Sequence, residues 1–413
     1  MKRSSITLSQ HRITNNEPEL LSPAGDWERL EMALAYGADA VYLAGSEFGM
    51  RSSAGNFNNG EMEKAVALAH SLGRRVYVTC NTLPREDELK RLPGFLEAAD
   101  GFGVDGLIIA DLGVMGLARR YAPHVRLHVS TQLGVINSAT ACALYDMGAD
   151  TVVLARETPM EDIRKIRANT PKDLRLEAFV HGAMCVSFSG RCLLSNYLTG
   201  RDANRGQCAQ PCRWKYSLVE ETRPGEYFPI VEDGGTYIMN SRDMRMIEHI
   251  PELIEAGISS FKIEGRMKSA YYAAVVTNAY RHAIDAALKG EQLDPLWIAE
   301  TEKVSHRPYC TGFYYGQPGE HYSQASYTTD ADVAAVVERC DEGGNAVLTQ
   351  RNKFCLGDRL ELLTPEGAPV SFTPEQMFNA EGEKIQDTRH PMMEIHMRLP
   401  RWAPRLSIVR KCR

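Results

Sequence analysis

The sequence predicts an α/β fold: a (β/α)8 TIM-like barrel with a Cys-rich insertion, followed by a small antiparallel β-barrel-like C-terminal domain. Eight short apolar runs alternate with amphipathic helical segments between residues 18 and 290. Repeated βα units of similar length imply parallel pairing through crossovers, and eight of them fit a closed barrel better than a doubly wound sheet. One connection, from His181 to Ser260, is far longer than the others and holds four of the ten cysteines. Beyond residue 329 the segments become short, often alternating, and separated by Gly, Pro, Asn or Asp, which is antiparallel β character.

Taken in order, residues 1–17 are polar, with no apolar stretch of the length a secretory signal needs, and are expected to be flexible. The strand candidates are Glu19–Ser22, Ala40–Ala44, Val76–Cys80, Gly106–Ala110, Arg126–Val129, Thr151–Ala155, Leu174–Val180 and Ser260–Ile263. Between them, segments such as Asp26–Tyr36, Met62–Leu72, Ser138–Met147 and Met160–Ala168 place apolar residues three and four apart, and several stop at Gly37, Gly73 or Gly148. The barrel is expected over 18–290, with the Cys-rich insertion at 181–258 on its C-terminal face, where barrel enzymes build their active sites. A helix is expected at Ser269–Leu288 and a linker over 291–328. The β-rich domain spans 329–413, on the segments Ala331–Glu338, Ala346–Gln350, Arg359–Leu363, Met393–Met397 and Leu406–Val409.

With 413 residues, a net charge of −6, 44% hydrophobic and 24% charged residues, the chain has the composition of a globular enzyme. That excludes disorder or collagen as whole-chain descriptions, and a dedicated basic nucleic-acid arm. No window is apolar for the roughly 18 residues a transmembrane helix needs, so no membrane partner is expected. Ten cysteines are too sparse for a disulfide scaffold and point to a reducing cytoplasm, where clustered thiols serve as metal ligands or redox groups.

The cluster is Cys185, Cys192, Cys208 and Cys212, spaced C-x6-C-x15-C-x3-C among Ser, Gly, Arg, Asn and Gln. Four thiolates on a loop-rich insertion can close around a tetrahedral zinc or a [4Fe-4S] cluster. Zinc ribbons usually use C-x2-C knuckles, and the wider spacings here suit the larger cube; unligated thiols are the remaining alternative. From Gly190 to Tyr216 five cationic residues face only Asp202, a local balance of +4. Such a patch attracts phosphate or dicarboxylate, or compensates an anionic thiolate cluster.

Polar residues stand at the expected C-terminal strand ends: Asn81, Asp111, Ser130 with Gln132, Arg156 with Glu157, His181, and Glu264 with Arg266. Mixed Arg, Glu and His there suit binding a small anion and moving protons, and Arg51 after the second strand could reach the same mouth. Gly101-Phe-Gly-Val-Asp-Gly106 has dinucleotide-fingerprint spacing but precedes a strand, which speaks against that use. G-x-S-x-G, H-E-x-x-H and Walker A motifs are absent.

The stretch from Glu177 to Ser195 resembles the signature of the collagenase-like peptidases, peptidase family U32, in Glu177, Phe179, Gly182, Ala183, Cys185, Gly190, Cys192 and Ser195. Similar stretches are Glu19-Leu-Leu-Ser-Pro-Ala-Gly25, His128-Val-Ser-Thr-Gln132 and Ser260-Phe-Lys-Ile-Glu-Gly-Arg266. In the tail, Asn352–Gly367, Phe372–Met377 and Asn379–Glu383 are similar to the branch of the family implicated in tRNA hydroxylation. The resemblance implies that Cys185, Cys192, Cys208 and Cys212 hold a [4Fe-4S] cluster, with zinc as the alternative. It implies formation of 5-hydroxyuridine at wobble position 34 in a prephenate-dependent reaction that does not use O2. The partners so implied are the tRNA anticodon arm and prephenate or a related dicarboxylate, with a protein electron donor as a further candidate. Arg51, Arg156 and Arg266 are the candidates to hold the dicarboxylate, and His181 and Glu264 to handle protons. The rivals are a peptidase of unassigned mechanism and an RNA-binding scaffold that uses metal only to fold.

Overall fold

The computed structural model describes residues 17–50, 55–185, 187–188, 192–214, 217–219, 227–229, 241–318 and 327–413. Strands β1 (Glu19–Pro23), β2 (Ala40–Ala44), β3 (Arg75–Cys80), β4 (Gly106–Ile109), β5 (Arg126–Val129), β6 (Thr151–Val153) and β7 (Arg175–Ala183) pair in parallel in that order. In the long connection lie the pair β8 (Ser217–Val219) and β9 (Tyr227–Pro229), then β10 (Asp243–Arg245), before β11 (Ser260–Ile263). Ser260 registers with both Glu177 of β7 and Glu19 of β1, so β11 closes an eight-stranded barrel. Parallel strands covered on both faces are rich in Val, Leu, Ile and Ala, which is why they read as apolar runs broken by single polar residues.

The outer layer is formed by α1 (Trp27–Ala35), α2 (Asn59–Ser71), α3 (Leu92–Gly101), α4 (Leu112–Tyr121), α5 (Ser138–Asp146) and α6 (Met160–Ala168). The starts of α1, α2, α4 and α5 are fixed by side-chain caps. Asp26 accepts from the Arg29 amide, Asn58 and Glu61 form a reciprocal capping box, and Asp111 accepts from the Val114 amide. Asp111, a strand-end polar residue, is therefore a helix cap. At the far ends Gly37, Gly73 and Gly148 take positive φ, the left-handed termination expected of them.

The insertion begins with α7 (Leu194–Thr199) and two 3-10 turns, Ala203–Arg205 and Pro211–Arg213, and ends through β10 and α8 (Ile250–Glu255). β10 pairs antiparallel with the end of β7, Arg245 opposite His181, and so extends β7 past the Val180 expected from its apolar run. After α9 (Ala270–Lys289), the stretch expected to be a linker carries structure of its own: α10 (Pro295–Glu300) and β12 (Tyr309–Cys310). Trp297 of α10 is buried with its ring 3.6 Å from the imidazole of His282, and β12 pairs in parallel with β10. Burial of Trp297, Val304 and Tyr314 gives this segment a reason to stay on the barrel.

The C-terminal domain is one eight-stranded antiparallel sheet. Its order is β16 (Val370–Phe372), β15 (Leu360–Leu363), β20 (Ile408–Cys412), β13 (Ala331–Cys340), β14 (Asn345–Gln350), β19 (Glu394–Arg398), β17 (Met377–Phe378) and β18 (Lys384–Ile385). Val337, Leu348, Phe354, Leu360, Leu362, Ile395 and Val409 form its core. Val336, Leu363, Leu406 and Ile408 instead join the barrel's core, and fully buried Arg410 binds Glu300 through two 2.7 Å contacts. Among the described residues no helix is long and apolar enough to cross a membrane.

Candidate active site at the barrel mouth

Alternation along each strand sends every second residue to the barrel axis. From β11 this gives Ser260 and Lys262, continued by Glu264 and Arg266; from β3, Arg75, Tyr77 and Thr79; from β7, Arg175, Glu177 and Phe179. The lower part of the axis is polar. Glu19, fully buried, accepts from the Tyr77 hydroxyl at 2.7 Å and contacts Arg75 at 3.1 Å and Arg175 at 3.5 Å. Ser260 lies 3.2 Å from both Glu19 and Glu177, and the Lys262 ammonium donates to Glu177 at 2.6 Å.

Above this layer is a cavity of about 160 Å³ at the C-terminal strand ends. Its walls include Tyr42, Thr79, Asn81, Ser130, Gln132, Phe179 and Lys262 from the barrel, Arg156, Glu264 and Arg266 from the loops, and Cys185, Cys192, Cys208 and Cys212 from the insertion. Lys262 is held over the faces of Tyr42 at 4.8 Å and Phe179 at 5.5 Å. Arg156 lies 4.0 Å over Phe179, donates to the Ala183 carbonyl at 3.0 Å and reaches Glu264 at 3.3 Å. The guanidinium of Arg266 donates to Thr79 at 3.0 Å.

Two signature glycines make this geometry possible. A Cβ on Gly182, at φ +109°, would lie 2.4 Å from the Glu264 carbonyl oxygen, and one on Gly25 would lie 2.2 Å from that of Arg266. Only glycine lets these backbones touch. Signature Ser195 is fully buried; its hydroxyl donates to the Arg201 carbonyl and accepts from the Ala209 amide, tying together the loops that carry Cys192 and Cys208.

All four thiols of the cluster thus open on the cavity that the barrel-mouth arginines line. Burial raises the Cys212 thiol pKa, Arg213 opposes that, and the other three thiols raise it further. A cation that replaces the four protons relieves both the burial and the mutual repulsion, so the donor set fits a soft, positively charged group. Among the described residues no three His, Cys, Asp or Glu side chains gather closely enough to hold a single metal ion. Four thiols facing one cavity are a donor set that either a multinuclear cluster or one zinc, at about 2.3 Å from each sulfur, could use.

The remaining candidates separate. Glu264, Arg156 and Arg266 come together at the mouth; Arg51 lies outside the described residues, next to cavity-lining Met50. His181 is placed elsewhere. The register of β7 against β11 slips between Lys262 and Ile263, so that Val180 is an extra residue and alternation breaks there. The His181 ring consequently leaves the axis and is enclosed by Tyr272, Tyr280 and Tyr309, where burial drives its pKa well below 6.5. Lys262 and Glu177 were passed over as site residues, although a lysine inside an apolar strand run is itself a signal. Arg205 of the basic insertion is already engaged, bidentate, by Glu88 at 2.5 and 2.9 Å.

No described histidine lines the cavity, so it offers no thiol–imidazole pair of the kind cysteine peptidases use. The model of Peptidase family U32 matches residues 25–324, and that of the Peptidase family U32 C-terminal domain matches 329–410. The chain is 37% identical to tRNA hydroxylation protein P1 of Bacillus subtilis, over 98% of each chain. It is 38% identical to tRNA hydroxylation protein P of Escherichia coli, over 89% of this chain and 91% of that one. A protein of Porphyromonas gingivalis named collagenase is 33% identical over 73% of this chain and 74% of its own. On the matched barrel and C-terminal domain together, the chain belongs to peptidase family U32.

Proposed function

We propose that the protein is a tRNA-modifying hydroxylase that forms 5-hydroxyuridine at wobble position 34, using prephenate or a related dicarboxylate and no O2, with a [4Fe-4S] cluster on Cys185, Cys192, Cys208 and Cys212. The observation that carries this reading is the single cavity shared by the four thiols and the barrel-mouth cations. Kinship with proteins named for tRNA hydroxylation supports the RNA substrate.

Arg156, Lys262 and Arg266 against Glu264 give the barrel side of the cavity a charge of +2, which can face both an anionic thiolate-bound cluster and a dicarboxylate. Arg156 and Arg266 can present guanidinium edges to carboxylates, while Lys262, pinned by Glu177, supplies a point charge at the floor. Asn81, Ser130 and Gln132 offer neutral hydrogen-bonding groups to a base edge. Replacing C5–H by C5–OH takes two electrons from the base, so in this reading the dicarboxylate serves as oxygen donor and two-electron acceptor, and Glu264 would receive the proton that leaves C5. When bound, the cluster supplies electron transfer to this oxidation.

Nucleoside analysis of tRNA tests the reading. A strain lacking the gene, and any parallel pathway, should lose 5-hydroxyuridine and its derivatives, and regain them with the wild-type gene but not with a Cys212→Ser form. Unchanged 5-hydroxyuridine would overturn it. Anaerobically purified protein should carry about four iron and four sulfide per chain, where one zinc and no iron would remove the redox role.

A further inference from the structure

We infer that the outer rim of the insertion is a docking surface for an unpaired RNA strand, with Tyr197 and Trp214 stacking bases and Lys268 and Arg213 receiving phosphate. The inference rests on the proposed RNA substrate and adds which part of the RNA is held and where.

Large aromatic side chains are uncommon as neighbours on a free protein surface. Here Tyr197 is 80% exposed and Trp214 43%, and both sit beside cavity walls. On α7, Leu194 lines the cavity and Tyr197, three residues on, continues the same helix face outward. Trp214 directly follows the turn Pro211–Arg213, whose Pro211 and Cys212 also line the cavity, and α7 packs on that turn. Across the rim, the exposed ring of Phe188 lies where a side chain on Gly134 would stand.

The cations gather at a further ring, Tyr327, and Lys268 also donates to the Ser305 carbonyl at 2.8 Å. Arg213 donates to the Tyr327 hydroxyl at 2.9 Å, and the Lys268 ammonium lies 4.1 Å over the Tyr327 ring. Burial, with Arg307 and Arg213 nearby, brings the Lys268 pKa down to about 8 despite Asp243 and Glu264, and a phosphate beside this partly buried ammonium would favour its charged form. A single strand meets both requirements at once, since every nucleotide carries a base with a π-face and an anionic phosphate. A duplex hides its bases, and the six-residue α7 is too short for an interfacial membrane helix.

The test measures binding of a fluorescent anticodon stem-loop RNA and of a fully paired RNA duplex of equal length to the full-length, cluster-loaded protein. Tyr197→Ala and Trp214→Ala should each weaken stem-loop binding roughly 5- to 100-fold and leave duplex binding and iron content unchanged, whereas Trp214→Phe should retain most of the affinity. Lys268→Met should lower the slope of log affinity against log salt by about 0.7. Stem-loop binding by both alanine variants equal to wild type, or duplex binding as tight as stem-loop binding, would overturn the inference while leaving the hydroxylase reading standing. Wild type that binds no RNA would sink that reading, and this one with it.

Discussion

The two halves of the barrel axis are built from the same residue types and do different things. Below, Glu19 and Glu177 face Arg75 and Arg175, two carboxylates against two guanidiniums, and the Tyr77 and Ser260 hydroxyls occupy their remaining lone pairs. Above, among the described residues, Arg156, Lys262 and Arg266 line the mouth with Glu264 as the one carboxylate. In the lower set carboxylates and guanidiniums are matched in number and paired with one another. The upper set is left with net positive charge that an anion can satisfy. Lys262 touches both, as the ceiling of one set and the floor of the other. A buried ion pair is weak evidence for stability, but removing one member is costly because the other stays buried.

The largest effect is therefore expected below. Glu19→Ala removes the buried carboxylate that Arg75, Arg175 and the Tyr77 hydroxyl share, and should cost about 3–5 kcal/mol of unfolding free energy in a denaturant titration. An unchanged midpoint would mean that the lower set is hydrated and loose. At the mouth the expectation inverts: Arg266→Met or Arg156→Met should raise the KM for the dicarboxylate about 10- to 100-fold, as loss of a hydrogen bond to a charged group implies, with a smaller change in stability than at Glu19. If either mouth variant instead unfolds the protein as Glu19→Ala does, the two halves are not functionally distinct.

Two buried histidines sharpen the same contrast. His128 and His181 have pKa values driven well below 6.5, each first by burial and then by nearby cations, so both are neutral in the folded protein. An unfolded chain takes up protons at these positions as pH falls below about 6.5, so their contribution is present above that value and is lost on acidification towards their folded pKa. Neither nitrogen of His128 has a hydrogen-bond partner among the described residues, and the Glu177 carboxylate lies 3.9 Å from Nδ1. His181→Phe and His128→Phe should each flatten the loss of stability between pH 6.5 and 5, measured by thermal unfolding. His181→Phe should also leave turnover close to wild type, since its ring sits among tyrosines and not at the cavity; a collapse of turnover without loss of stability would return His181 to the site.

The eight strands are legible in the sequence because each is a short, mostly apolar run and several of the helices between them end at glycines with positive φ. The four cysteines are legible because the chain concentrates them in one long connection. His181 is misread for a definite reason: period-two counting along β7 puts it on the axis, and a single extra residue at Val180 takes it off. The roles of Gly182 and Ser195 depend on the Glu264 carbonyl and the Ala209 amide, contacts between segments far apart in sequence. The segment 291–328 is polar at its ends, and its docking rests on Trp297 meeting His282, which no local pattern announces.

The smallest expected effect separates charge that is occupied from charge that is available on the insertion. Arg205 and Arg213 are counted equally in the local +4, yet Glu88 grips Arg205 with both oxygens, and that hydrogen bonding brings the Glu88 carboxyl down to about 2. The pair bridges the insertion to the connection after β3 and is partly exposed, so Arg205→Gln should cost no more than about 1 kcal/mol, fading as salt screens it. Because Glu88 already neutralises Arg205, the same substitution should leave the salt dependence of stem-loop binding unchanged, whereas Arg213→Gln should reduce its slope. Equal slopes for the two variants would show that net charge, and not the arrangement of free cations around the rim, governs how the insertion attracts RNA.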